Sequence, residues 1–135
     1  MSHAQHAGQV DVDLPADLTA PGAARHATRG ALRRWRLAKL LDPVLLTVSE
    51  LVGNAIRHGR PPVALRLRRH GPGVQVAVHD EDPQPPQQPG DDPGRESGRG
   101  LLLVRALASE TGVEQVQDDG KVVWAQIEPG EDAEC

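Results

Sequence analysis

Ser49-Glu50-Leu51-Val52-Gly53-Asn54-Ala55-Ile56-Arg57-His58-Gly59 has the spacing of an amphipathic helix. At about 100° per residue, with Glu50 at the origin, Asn54 falls near ~40° and His58 near ~80°. The three therefore share one stripe. Leu45, Val48, Leu51, Val52, Ala55 and Ile56 gather on a broad apolar face, while Leu46 falls on the polar side. Upstream, Asp42 is a good N-cap residue and Pro43 suits the first helical position. Downstream, Gly59 and Pro61 stop the helix. On pattern alone this is an ordinary helix with a solvated polar stripe. A sharper reading is a carboxylate and a carboxamide held one turn apart above a buried face. The amide oxygen of Asn54 suits Mg²⁺, which prefers hard oxygen donors and keeps part of its water shell. Glu50 is suited to taking a proton from an attacking hydroxyl.

Outward from this helix the pattern changes to alternation. Val63, Leu65 and Leu67 alternate with Ala64, Arg66 and Arg68, and Val74, Val76 and Val78 with Gln75, Ala77 and His79. With Gly71-Pro72-Gly73 as the turn, these runs predict a hairpin. Asp80 shares the parity of Val74, Val76 and Val78, so it points toward the apolar face at the strand's end. Capping of the following loop is the ordinary explanation for such an aspartate. Val10, Val12 and Leu14 predict a short strand, and residues 21–41 a helix opened by Pro21. Residues 81–97 carry Pro83, Pro85, Pro86, Pro89 and Pro93, which exclude regular structure. Ser97-Gly98-Arg99-Gly100-Leu101 then leads into a helix over residues 100–109, its glycines permitting close approach to a ligand. Residues 113–116 and 121–127 predict a closing hairpin around Asp118-Asp119-Gly120. Residues 1–8 are polar and expected to be disordered, residues 9–128 form the domain, and residues 129–135 make an acidic tail.

Composition narrows the function classes. The chain has 135 residues, a formal net charge of −4, no Phe or Tyr and two Trp. One domain with an aliphatic core follows. A broad basic surface and a base-stacking platform are both missing, so direct nucleic-acid binding is not expected. The single cysteine is Cys135, which leaves no intrachain disulfide and fits a reducing compartment. No run reaches membrane length, and a soluble, cytoplasmic protein is the expectation.

The wording SELV-NA--HG of residues 49–59 resembles the N-box of the Bergerat-fold (GHKL) ATPases, a superfamily that includes gyrase-type ATPases and histidine kinases. It is most similar to the anti-sigma-factor serine kinases. The resemblance implies ATP and Mg²⁺ as cofactors, Asn54 as magnesium ligand and Glu50 as general base, with His58 beside the nucleotide. It also implies that Asp80 accepts the exocyclic amine of adenine. GRGL--V--LA resembles the family's second glycine box, which puts Gly98, Arg99, Gly100 and Leu101 at the nucleotide and makes the proline-rich loop the lid. Lys121 and Trp124 stand where relatives carry a GK--W strand, which puts Lys121 among the nucleotide-binding residues. The family usually follows its aspartate with glycines, whereas this chain has Asp80-Glu81-Asp82-Pro83.

The fold expected is a two-layer α/β sandwich, with a mixed, mostly antiparallel sheet and the helices on one face. Two functions stay open. One is a protein serine/threonine kinase that phosphorylates an antagonist protein or sequesters a sigma factor. The other is a non-catalytic, nucleotide-dependent interaction module with a degenerate ATP site. Glu50 favours the first and the glycine-free segment the second. A hydrolase has no nucleophile elbow here, zinc has no clustered ligands, and a homodimer is left open.

Overall fold

The computed structural model describes residues 3–84, 96–116 and 120–130. Six strands form one sheet in the order β1-β2-β3-β4-β6-β5. They are β1 (His3–His6), β2 (Gln9–Leu14), β3 (Val63–His70), β4 (Gly73–Asp80), β5 (Glu110–Gln115) and β6 (Lys121–Ile127). The described residues also form three α-helices, α1 (Ala20–Arg34), α2 (Leu41–His58) and α3 (Glu96–Leu107). The sheet expected to be mixed is antiparallel in all five described pairings.

Register explains the layering. Val12 pairs with Leu65, Leu65 with Val78 and Val78 with Val123, so the apolar sets of four strands lie on one face. Onto that face α2 presents Val44, Val48, Leu51, Val52 and Ala55, all buried. Helix α1 packs beside α2 through Ala24, Ala31 and Leu32, and α3 reaches β6 and α2. The other face carries Arg66, paired with Asp11 at 2.7 Å, and the exposed Arg68. Among the described residues no helix is long and apolar enough to cross a membrane.

Four details depart from the sequence expectations. Residues 3–6, expected to be loose, form β1 against β2, with Gly8 (φ 80°) closing the turn. Edge pairing uses backbone groups, so it needs no apolar alternation. Helix α1 ends at Arg34 rather than near residue 41. Arg36 adopts φ 58°, Leu37 N–H reaches Leu32 O at 2.9 Å, and Arg36 N–H reaches Arg33 O at 3.1 Å. This is a Schellman ending with arginine where glycine is usual, so the customary stop signal is missing. Asp42 is not the N-cap of α2. The helix starts at Leu41, two residues before Pro43, after a short 3₁₀ turn, and Asp42 lies in its first turn facing the helix dipole. Helix α3 starts at Glu96, so Gly98 and Gly100 lie inside its first turns rather than ahead of it.

The start of α1 is set locally. Asp17 accepts hydrogen bonds from the Thr19 hydroxyl and the Thr19 N–H, which hold its carboxyl below the usual carboxylate range. The expected turn at Asp118-Asp119 and most of the expected lid, residues 85–95, lie outside the described residues.

The two faces of β3 should respond differently to truncation. Leu67, fully buried, should lose about 2–5 kcal/mol on Leu67→Ala. Arg68→Ala, on the opposite face, should stay within about 0.5 kcal/mol. Chemical denaturation of both variants checks this, and equal losses would contradict the assignment of faces.

Candidate functional site

The end of α2, the end of β4 and the start of β6 meet around one carboxylate. Asp80 is 2% exposed, because its strand parity carries it onto the helix-covered face. A carboxylate there is costly unless donors surround it. Lys121, directly across the β4–β6 pairing and 3% exposed, brings its Nζ to 3.1 Å from Asp80 Oδ1. The Asp82 N–H donates to the same oxygen at 2.8 Å, and the Arg60 N–H at 3.4 Å. Lys121 Nζ also donates to the Asp82 carbonyl at 3.0 Å. Glu81 N–H closes the ring by donating to Arg60 O at 2.9 Å.

Two glycines make this crowding possible. A Cβ on Gly59, the C-cap of α2, would lie 2.5 Å from the Asp80 carboxyl carbon and 2.7 Å from Ala55 O. Gly120 has φ 88°, and a Cβ there would collide with the Asp80 carbonyl oxygen. Both positions therefore bring backbone to a distance that only glycine allows.

Helix α2 leads back from this cluster. Asn54 is 6% exposed, and its Oδ1 is buried without a hydrogen-bond partner among the described residues. A buried amide oxygen left in this state is costly, and native structures rarely keep one without a reason. One turn earlier Glu50 is half-buried, and one turn later His58 is exposed. The predicted stripe thus descends into the core at Asn54 rather than staying solvated along its length. Arg25 donates to the Ser49 hydroxyl at 3.4 Å, linking α1 to this stretch.

The second glycine box is placed by its backbone. Gly98 is among the first four N–H groups of α3, which have no acceptor within the helix, whereas Gly100 lies one position beyond them. Arg99 is in the same first turns. Leu101 is half-buried and lines a cavity of about 180 Å³ with Leu51, Val104 and Val123, beside Arg105 and Thr111. That cavity lies between α2, α3, β5 and β6, and Asp80 is not among the residues that line it.

A family model for the histidine kinase-like ATPase domain matches residues 14–127. The chain belongs to that family. Membership makes it a GHKL-type ATPase domain, and ATP is the nucleotide that goes with it. Residues 14–127 run from the end of β2 to the end of β6, so the match takes in α2, Asp80 and Lys121 alike. A solved histidine kinase domain, from the blue-light activated histidine kinase of Erythrobacter litoralis EL346, is 26% identical, with a TM-score of 0.48. The similarity covers 66% of this chain and 44% of that one, so the chain spans less than half of that structure's length. No curated protein matches.

The structure brings Asp80 and Lys121 into contact and places Asn54 and Glu50 one turn apart on α2. His58 shares the helix but sits at its exposed end. Sequence reasoning had no part for Gly59, Arg60 and Asp82 in enclosing Asp80. Gly59 was legible only as a helix stop, and the backbone donors of Arg60 and Asp82 leave no mark on side-chain pattern.

The close approach at Gly59 is testable. Gly59→Ala should destabilise the fold by about 1–3 kcal/mol, the usual cost of overpacking. Gly22, in α1, has nothing within 4 Å of an added Cβ. Gly22→Ala should instead stabilise, by about 0.4–1 kcal/mol. Thermal or chemical denaturation of the pair distinguishes local crowding from a general effect of the added methyl.

Proposed function

We propose that the chain binds Mg–ATP between α2 and the sheet, and that it acts as a regulatory protein similar to the anti-sigma-factor serine kinases. The observation that carries this reading is the unpartnered amide oxygen of Asn54, buried on the helix whose end abuts Asp80. That oxygen is a hard donor of the kind Mg²⁺ takes. No group of three His, Cys, Asp or Glu side chains able to hold a metal occurs among the described residues. An ion on Asn54 would therefore draw its other ligands from phosphate oxygens and water, as is usual for magnesium. When bound, it would neutralise phosphate charge and hold the γ-phosphoryl group in line.

Each remaining residue has a part in this reading. Glu50, one turn from Asn54, takes the proton of a partner's serine hydroxyl as its oxygen bonds to the γ-phosphorus and ADP leaves. The first N–H groups of α3, including that of Gly98, offer donors to phosphate oxygens. Arg99 supplies positive charge in the same turn. Asp80 faces the base, with Lys121 beside it. The partner is an anti-sigma antagonist or a sigma factor, in keeping with the resemblance of residues 49–59. A second reading, a nucleotide-dependent interaction module without phosphoryl transfer, is favoured by one observation. Asp80 already has an internal cationic partner in Lys121.

Calorimetric titration with ATP, with and without Mg²⁺, tests the proposal. The chain should bind ATP in a Mg²⁺-dependent way. Asn54→Ala should lose at least about tenfold in affinity, or 1.4 kcal/mol, with the fold intact by circular dichroism. Unchanged affinity in that variant would remove Asn54 from the site. Glu50→Gln should retain affinity within about threefold, because a base acting only in the transition state contributes little to ground-state binding.

A further inference from the structure

We propose that Lys121 sets the nucleotide selectivity of this chain, because its ammonium takes on Asp80 the place that a base amine would otherwise use. The inference rests on the reading that the base of ATP approaches Asp80. Both side chains are enclosed, at 4% and 2% relative exposure, and lie 3.1 Å apart. Three donors converge on the one oxygen, Oδ1: Lys121 Nζ, the Asp82 N–H and the Arg60 N–H.

An ammonium–carboxylate hydrogen bond is charge-assisted at both ends and roughly twice as strong as a neutral one. The exocyclic amine of adenine is a neutral donor and is at a disadvantage against it. Displacing Lys121 would also strand a buried ammonium, since among the described residues its other hydrogen bond goes to a single carbonyl, that of Asp82. Gly59 packs against the Asp80 carboxyl carbon and limits how far the carboxylate can swing on the helix side. A base at this site thus meets a carboxylate already compensated from inside the protein. Asp80 contributes little discrimination between a 6-amino and a 6-oxo purine, and affinity depends on the phosphate end, around Asn54.

The test compares Mg–ATP with Mg–GTP by calorimetry on the intact chain and on Lys121→Thr, whose short hydroxyl gives up the charge and opens volume beside Asp80. The intact chain should bind the two nucleotides within about threefold of each other, and Lys121→Thr should bind ATP at least about tenfold more tightly with GTP unchanged. A purely structural role for Lys121 would change stability but not the ATP-to-GTP ratio. Removing one partner of a buried pair can unfold a domain, so the double variant Asp80→Asn/Lys121→Thr, without a buried charge, is measured in parallel. Its carboxamide oxygen still accepts from adenine, and the same gain for ATP is expected. An intact chain that prefers ATP by tenfold or more, or variants that gain nothing for ATP, would overturn the role of Lys121 and leave the ATP site standing. If no folded variant and no intact chain binds either nucleotide at millimolar concentration, the Mg–ATP reading fails together with it. Tight ATP binding by the variants alone would support Lys121 as the block and would overturn the reading that the intact chain binds Mg–ATP.

Discussion

A carboxylate at the end of β4, on the face the helices cover, must find donors within a few ångströms or raise the cost of the whole fold. Asp80 finds them on three separate segments: β6 through Lys121, the connection after α2 through Arg60, and its own turn through Asp82. Each donor depends on the placement of a larger element. The lysine requires β6 to pair with β4 in the observed register, and the Arg60 N–H requires α2 to end at Gly59. Asp80 therefore ties the segment after α2 to the β4–β6 pairing, and that meeting point is where the candidate site lies.

Helix α2 carries two obligations along one surface. Val44, Val48, Leu51 and Val52 bury against the sheet and hold the layers together. Asn54 lies among them and contributes a polar atom the core does not use. Apolar burial is nondirectional and supplies the stability, while the orphaned amide oxygen is directional and contributes none. Such a local inconsistency in an otherwise consistent helix is where function is commonly found.

Much of the architecture was legible in the sequence. Alternation in residues 63–67 and 74–78 specifies the central hairpin, and its parity alone puts Asp80 on the covered face. The stripe through Glu50 and Asn54 was legible for the same reason, since one helical period governs both packing and presentation. Three features were not. Strand β1 is held by backbone hydrogen bonds and has no apolar signature. The end of α1 uses Arg36 in a conformation normally given to glycine. The partner of Asp80 lies 41 residues away, and only the neighbouring of β4 and β6 brings it close.

That separation bears on how the molecule folds and tolerates change. Strands β4 and β6 are adjacent in the sheet although α3 and β5 come between them in the chain. Their union is a nonlocal event, and nonlocal pairings pay their closure entropy before any contact rewards it. The hairpin of β3 and β4 closes a two-residue turn and can form early, leaving Asp80 exposed until β6 arrives. The ion pair is thus a marker for completion of the sheet. Closure entropy grows only slowly with length, by about 0.6 kcal/mol for each doubling of a flexible loop. The register of β6 against β4, by contrast, cannot shift by one residue without turning Lys121 away from Asp80.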